Sequence, residues 1–386
     1  MSKASDITPS FSMDAFFLSR LLGGMSPAKF LAEYWQRKPL LVRQALPGFG
    51  DWLGRDGLTR LACREDAESR VVQYKRGAWH LHHGPFAAEE LENLPAKGWS
   101  LLVSGVNHLI PEGDVLLNAF DFVPRARLDD LMVSFAPKGG GVGPHFDSYD
   151  VFLIQGLGRR RWEISDQTDL TLIPGAPLRI LQQFEPTQSW ELEPGDMLYL
   201  PPRFAHNGVA LEDCMTWSVG FRSPTAQEVV SQFLNHLQDQ LELQGIYTDP
   251  GLKPSRHAGE IPFRMLQWTE ATINRIHWSR RSITAFLGRY LSEPKAHVYF
   301  DPPARPMGRN AFAKAMARKG VRLDPRSQLL FRGRTFFING EELTLAAGIA
   351  ARLRKLADQR RLPGEDCSEK LLEVLHDWYR AGYLII

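Results

Sequence analysis

Two periodicities divide this chain. From about Asp129 to Phe221 the apolar residues fall in short runs and alternations cut by glycine and proline, the pattern of strands. Residues 149–155 (YDVFLIQ), 197–200 (MLYL) and 215–221 (MTWSVGF) are the most apolar of these. Repeated short strands of this kind predict a double-stranded β-helix, a jelly-roll-like barrel, with 215–221 as its closing strand. The spacing then becomes helical. Val229, Val230, Phe233, Leu234, Leu237 and Leu241 recur behind Thr225, which with Glu228 forms a candidate capping box. A second helical stretch runs from about Pro262 to Leu291, and its Trp268, Ile276, Trp278 and Phe286 are more apolar bulk than a lone helix pair buries. Four prolines within 292–309 mark a boundary. Beyond it come a helix over 310–320, strands over 329–343 with an Asn339-Gly340 hairpin turn, and helices over 345–359 and 368–379. Helices with a β-wing suggest a winged-helix-like module. Upstream, 26–35 (SPAKFLAEYW) reads as a helix entered by Ser-Pro and packed outside the barrel, and 40–107 mixes short strands and helices. The expected class is α+β. The expected domains are 1–222 (barrel with its N-terminal elaboration), 223–295 (helical) and 296–386 (winged-helix-like).

Composition narrows the setting. The 386 residues are 44% hydrophobic and 23% charged, ordinary for a globular protein. Three widely spaced cysteines (Cys63, Cys214 and Cys367) make no disulfide framework and fit a reducing cytoplasm. The N-terminus lacks the basic flank and apolar core of a secretory leader, and no run approaches a membrane span. Residues 1–255 hold 23 Lys and Arg against 31 Asp and Glu, whereas 256–361 hold 21 against 8. An acidic N-terminal half favours approach of a basic polypeptide. The basic stretch suits nucleic acid, although pairing with acidic neighbours, in the chain or across an oligomer contact, is the simpler reading.

The chemistry concentrates at His145-Phe146-Asp147, answered by His206 about sixty residues later. Residues i and i+2 of a strand point to one side, so His145 and Asp147 can converge on one ion. A glycine run (138–144) leads into the first segment. In the second, a Pro194-Gly195 turn, an apolar strand and Pro201-Pro202 present His206. Two histidines and a carboxylate that leave one metal face open are the ligand set of non-haem iron(II) oxygenases, with dioxygen and a cosubstrate on the open side. An HxD alone arises by chance; the glycine run, the strand and the second segment give it weight. The second segment resembles the second cupin motif: Gly195, Pro201 and His206 fit, while Arg203 stands where that motif usually has Gly and Ala210 where it often has Asn. His80, His82 and His83 look tempting as a rival metal cluster, but they adjoin a Gly-Pro turn and a complete triad lies elsewhere.

After the turn at 156–158, alternation puts Arg160, Trp162 and Ile164 on one face, and the apolar pair marks it as interior. A buried arginine needs an anion, and guanidinium grips carboxylate two-pronged. Arg160 is therefore expected to hold the distal carboxylate of 2-oxoglutarate, the alternative being a structural salt bridge. On the strand before the triad, Asp130, Met132 and Ser134 share a face. Ser134 can donate to the cosubstrate and Asp130 can hold a cationic substrate; a backbone-satisfied hydroxyl and a strand-capping carboxylate are the alternatives.

The runs 129–164, EPGDMLYLPPRFAHNG and WSVGFRSPT closely resemble bacterial JmjC-type ribosomal oxygenases, and the resemblance covers essentially the whole chain. It implies an iron(II)- and 2-oxoglutarate-dependent dioxygenase that uses O2 and hydroxylates the β-carbon of an arginine in a large-subunit ribosomal protein. By that match His145, Asp147 and His206 bind iron, Arg160 and Ser134 contact 2-oxoglutarate, Asp130 holds the substrate guanidinium, and Tyr149 forms a wall beside it. It also implies a homodimer through the helices after residue 223, and it makes ribosomal RNA the natural candidate for the basic stretch. The rival readings are a ribosomal histidine hydroxylase and a metal-binding cupin module that docks on the ribosome without catalysis.

Overall fold

The computed structural model describes residues 15–50 and 52–386; the N-terminal stretch that bears on a secretory leader lies outside them. The strands of the first part are β1 (Leu40–Val42), β2 (Ser69–Lys75), β3 (Ala78–His83), β4 (Trp99–Val103), β5 (Leu128–Ala136), β6 (His145–Phe146), β7 (Val151–Leu157), β8 (Arg160–Ser165), β9 (Gln188–Leu192), β10 (Met197–Leu200), β11 (Ala205–Ala210) and β12 (Cys214–Phe221). They form an eight-stranded sheet, β1-β10-β7-β12-β5-β4-β2-β3, and a four-stranded sheet, β6-β11-β8-β9. The sheets face each other. Val151, Leu153, Leu198 and Leu200 of the large sheet share one core with Trp162, Ile164 and Leu192 of the small one. The intervening residues Phe152, Ile154 and Tyr199 point the other way, into a layer that includes Phe30 of the helix Pro27–Glu33. The strand run 151–154 is apolar throughout because both its faces are covered.

Three local readings need correction. β7 runs through Gly156 to Leu157, and the turn falls at Gly158 (φ 55°). Gly156 is instead a close approach: a Cβ there would lie 2.8 Å from the Trp217 indole. The helical stretch after Pro262 is two helices, Phe263–Ile273 and Arg280–Ser292. Thr225 caps its helix by accepting from the Glu228 amide, but the Glu228 carboxylate accepts from the Tyr290 hydroxyl, so the reciprocal half of the capping box is replaced by a tertiary contact. The strand over 215–221 does close the barrel, inserted between β5 and β7.

The chain divides into two compact units, each discontinuous. One comprises residues up to Ser223 with Lys295–Ser327 and Pro363–Ile386; the other comprises Pro224–Pro294 and Gln328–Leu362. In the first, helices Arg309–Lys319 and Glu369–Arg380 meet through Phe312 and Tyr379, rings 5.1 Å apart. In the second, the hairpins Leu329–Arg332, Thr335–Ile338 and Glu341–Thr344 lie against helix Arg280–Ser292, whose Gly288 admits the Phe337 ring. Asn339 and Gly340 both take positive φ at the second hairpin turn, as an Asn-Gly pair requires. Several residues of the basic stretch do pair with nearby carboxylates, among them Arg289 with Glu342 and Arg326 with Asp324 and Asp301. No helix among the described residues is long and apolar enough to cross a membrane.

Candidate active site

β6 is only two residues long, and its pairing with β11 sets His145 directly opposite His206. Asp147 follows β6, and its carbonyl accepts from the Arg203 amide at 2.7 Å. That contact explains the departure from the cupin pattern. Arg203 takes φ 69°, the left-handed conformation a glycine would adopt, so the bend survives the change of residue. The glycine run closes onto the end of β11, with Gly139 N donating to Ala210 O and Ala210 N to Gly140 O.

The imidazole rings are 4.2 Å apart, the Asp147 Oδ2 lies 3.7 Å from His206 Nε2, and the potential ligand atoms of the three residues all fall within 4.8 Å of one another. Each ring is pinned from behind. His145 Nδ1 is 2.9 Å from the Gly143 carbonyl, and His206 Nδ1 is 2.9 Å from the Phe204 carbonyl. A carbonyl only accepts, so Nδ1 carries the proton and Nε2 turns its lone pair toward the triad. Burial, reinforced by the neighbouring His145, pushes the His206 pKa down to about 4. The site thus favours the neutral ring that a metal requires.

The triad opens on a cavity of about 540 Å³ within the first unit. Arg160, Ser134, Asp130 and Tyr149 all stand on its wall. Arg160 is 5% exposed, and its Nε and one Nη are buried with no protein partner among the described residues; the structural salt bridge that was its alternative does not form among them. The Trp162 ring lies 5.6 Å from its guanidinium carbon. The donor set and this unpaired buried guanidinium fit a metal with an anionic cosubstrate beside it. Ser134 is buried, with its Oγ 3.5 Å from the Thr216 carbonyl, a contact long enough to leave the hydroxyl to a ligand. Tyr149 stands at the mouth; burial of its hydroxyl, with the charges of Asp147 and Asp130, holds its pKa above the ordinary tyrosine value.

Asp130 is not free. Its Oδ2 accepts from the Gly105 amide at 3.0 Å and from Lys295 Nζ at 3.4 Å. Burial raises its pKa, an effect the lysine opposes. Lys295 also reaches Asp129 Oδ1 at 3.3 Å, and Arg222 Nε meets that same oxygen at 3.3 Å. Lys295 and Arg70, both on the cavity wall, are absent from the sequence expectations. Alternation along β2 turns Arg70 inward, a signal open to sequence reading; Lys295 lies in the proline-rich segment, where no periodicity exists to read. His80, His82 and His83 are exposed on the edge strand β3, away from the cavity wall, and join no three-ligand cluster among the described residues.

Residues 115–229 match the family model of the JmjC domain, and 274–385 match that of the ROXA-like winged helix. The ribosomal protein uL16 3-hydroxylase of Escherichia coli (strain K12) is 36% identical over 318 residues, 81% of this chain and 84% of that protein. A probable ribosomal oxygenase of Haemophilus influenzae is 37% identical over 252 residues, 64% of this chain and 60% of the relative. Among solved structures, E. coli YcfD superposes with a TM-score of 0.81 at 31% identity, covering 94% of this chain and 98% of that one. A YcfD complex with cobalt and 2-oxoglutarate gives 0.78 at 32% identity, covering 93% and 97%.

Proposed function

Because this chain belongs to the JmjC ribosomal oxygenases, which are iron(II)- and 2-oxoglutarate-dependent enzymes, we propose that it hydroxylates the β-carbon of an arginine in a large-subunit ribosomal protein, with uL16 as the first candidate. The observation that carries the proposal is the pairing of a metal-ready triad with two opposite charges on one cavity wall: the buried Arg160 for an anionic cosubstrate and the partly buried Asp130 for a cationic side chain.

In this reading His145, Asp147 and His206 hold the iron, which when bound couples dioxygen reduction and keto-acid decarboxylation to C–H hydroxylation. Arg160 grips the far carboxylate of 2-oxoglutarate with two donors, and the Ser134 hydroxyl donates to the same group. Those contacts fix the keto-acid end toward the triad. Asp130 orients the substrate's guanidinium, which holds the target carbon at a set distance from the metal position, and Tyr149 bounds the channel. The apolar rings and aliphatic side chains around the cavity limit water at the reacting centre. Such a substrate meets the enzyme in the cytoplasm. We infer also a homodimer through the second unit, whose Val230, Leu234, Phe263, Leu266, Ile273 and Trp278 leave apolar side chains exposed.

Purified uL16 incubated with enzyme, iron(II) and 2-oxoglutarate should gain the mass of one oxygen atom on an arginine, and Asp147→Ala should abolish the gain. Modification of a histidine instead would redirect the substrate assignment. An unaltered set of ribosomal proteins in cells with and without the enzyme would remove it.

A further inference from the structure

We propose that Lys295 is an internal placeholder for the substrate cation: it holds Asp130 in the free enzyme and yields it to an incoming guanidinium, which the geometry of Asp130 favours over an ammonium. This rests on the reading that Asp130 receives the substrate side chain. Lys295 comes from the segment that follows helix Arg280–Ser292 and enters the same cavity as the triad. Its Nζ sits 3.4 Å from Asp130 Oδ2 and 3.3 Å from Asp129 Oδ1, longer than the ~2.8 Å of a tight charge-assisted bond. About a third of its side chain is exposed (36%), on a flexible four-carbon stem that can swing out.

Neither carboxylate depends on the lysine for its position. The Gly105 amide holds Asp130, and Arg222 holds Asp129. The charges explain the occupancy. Asp129 and Asp130 are adjacent carboxylates balanced by Lys295 and Arg222. When the lysine withdraws, an entering guanidinium restores the same balance, so the exchange leaves no buried charge uncompensated.

The geometry of Asp130 supplies the selectivity. Both its protein donors fall on Oδ2, while Oδ1 lies on the side of Gly220, a residue without a side chain on the cavity wall. A guanidinium presents two parallel donors and can engage both oxygens; an ammonium presents a single point. An incoming ammonium therefore offers Asp130 nothing that Lys295 lacks, and it competes against a tethered group of high local concentration. A guanidinium adds the second prong and wins the exchange.

The test uses butylguanidinium and butylammonium, titrated against the full-length protein by ligand-observed NMR. In the wild type the guanidinium should bind at least about ten-fold more tightly than the ammonium, a gap of the size one added charge-assisted bond supplies. If Lys295 occupies Asp130 in roughly nine molecules of ten, Lys295→Met should tighten the guanidinium about ten-fold, because apparent affinity scales with the competent fraction. The ammonium should tighten by about the same factor, because both ligands draw on the same competent fraction, so the ratio between the two stays as the geometry of Asp130 sets it. Lys295→Gln serves the same purpose where the Met variant folds poorly. Unchanged or weaker guanidinium binding in a folded Lys295 variant overturns the placeholder and makes the lysine a support for Asp130. Asp130→Asn separates the two layers. Guanidinium binding that survives Asp130→Asn removes the substrate-site reading itself; binding lost in Asp130→Asn but unmoved in Lys295→Met removes only the placeholder.

Discussion

Replacing Arg160 with methionine should move stability and cosubstrate affinity in opposite directions. Arg160 is 5% exposed, with its Nε and one Nη buried and unpartnered among the described residues. Its contact with the Trp162 ring, 5.6 Å away, returns at most about 1–2 kcal/mol. An uncompensated buried charge costs more than that, and replacing buried ionic groups by apolar ones of similar volume stabilises proteins by about 1–4 kcal/mol. At about 2–4 °C per kcal/mol for a domain of this size, the metal-free Arg160→Met protein should melt roughly 2–16 °C higher. The same change removes the two-pronged bond to a carboxylate that we propose for Arg160. Truncating one partner of such a buried pair costs about 2–5 kcal/mol, so the KM for 2-oxoglutarate should rise from about thirty-fold to several thousand-fold. Scanning calorimetry of chelated protein reads the first effect, and succinate formation across a 2-oxoglutarate titration reads the second. A lower melting temperature, or a KM within about three-fold of the wild type, would show that Arg160 is satisfied by something other than the cosubstrate.

The remaining expectations concern the triad and its support. His206 has a depressed folded-state pKa of about 4 against 6.5 for the ordinary ring, so between those values the unfolded chain binds the extra proton. The metal-free protein should therefore lose up to about 3 kcal/mol as pH falls from 6.5 to 4, and His206→Gln should flatten that part of a stability–pH curve. A wild-type curve with no slope in that window would contradict the burial argument. Asp147→Ala takes away the carboxylate of the triad; equilibrium dialysis should show iron(II) binding reduced at least about ten-fold, and turnover should drop to background. Gly143 sits at φ 80°, and a Cβ there would come 2.4 Å from the Trp79 ring. Gly143→Ala should cost about 2 kcal/mol or more in chemical denaturation and, by moving the carbonyl that fixes His145, weaken metal binding as well.

What the sequence disclosed and what it concealed follow one physical division. Alternation and turn chemistry are local, and they carried the facing of β8 with Arg160, Trp162 and Ile164 turned inward, the Thr225 cap and the Asn339-Gly340 turn. Partnerships between distant segments are set by how whole elements pack, and no local pattern encodes them. Glu228 obeys the spacing of a capping box, yet Tyr290, 62 residues away, takes its carboxylate. Gly156 reads as a turn because nothing in its neighbourhood announces Trp217. The two opposite charges of the cavity wall show the same division at the site itself. Alternation turns Arg160 inward and sets Asp130 on the face of Met132 and Ser134, and desolvation gives each a need for a counter-charge. It cannot say whether that counter-charge belongs to the chain. For Arg160 no protein group among the described residues supplies it, and the unmet demand points to a ligand that stays for the reaction. For Asp130 the chain supplies it through Lys295, 165 residues away and loosely held. A loosely held partner is what an exchange site needs: strong enough to keep the carboxylate balanced between turnovers, and weak enough to give way to a better-fitting cation.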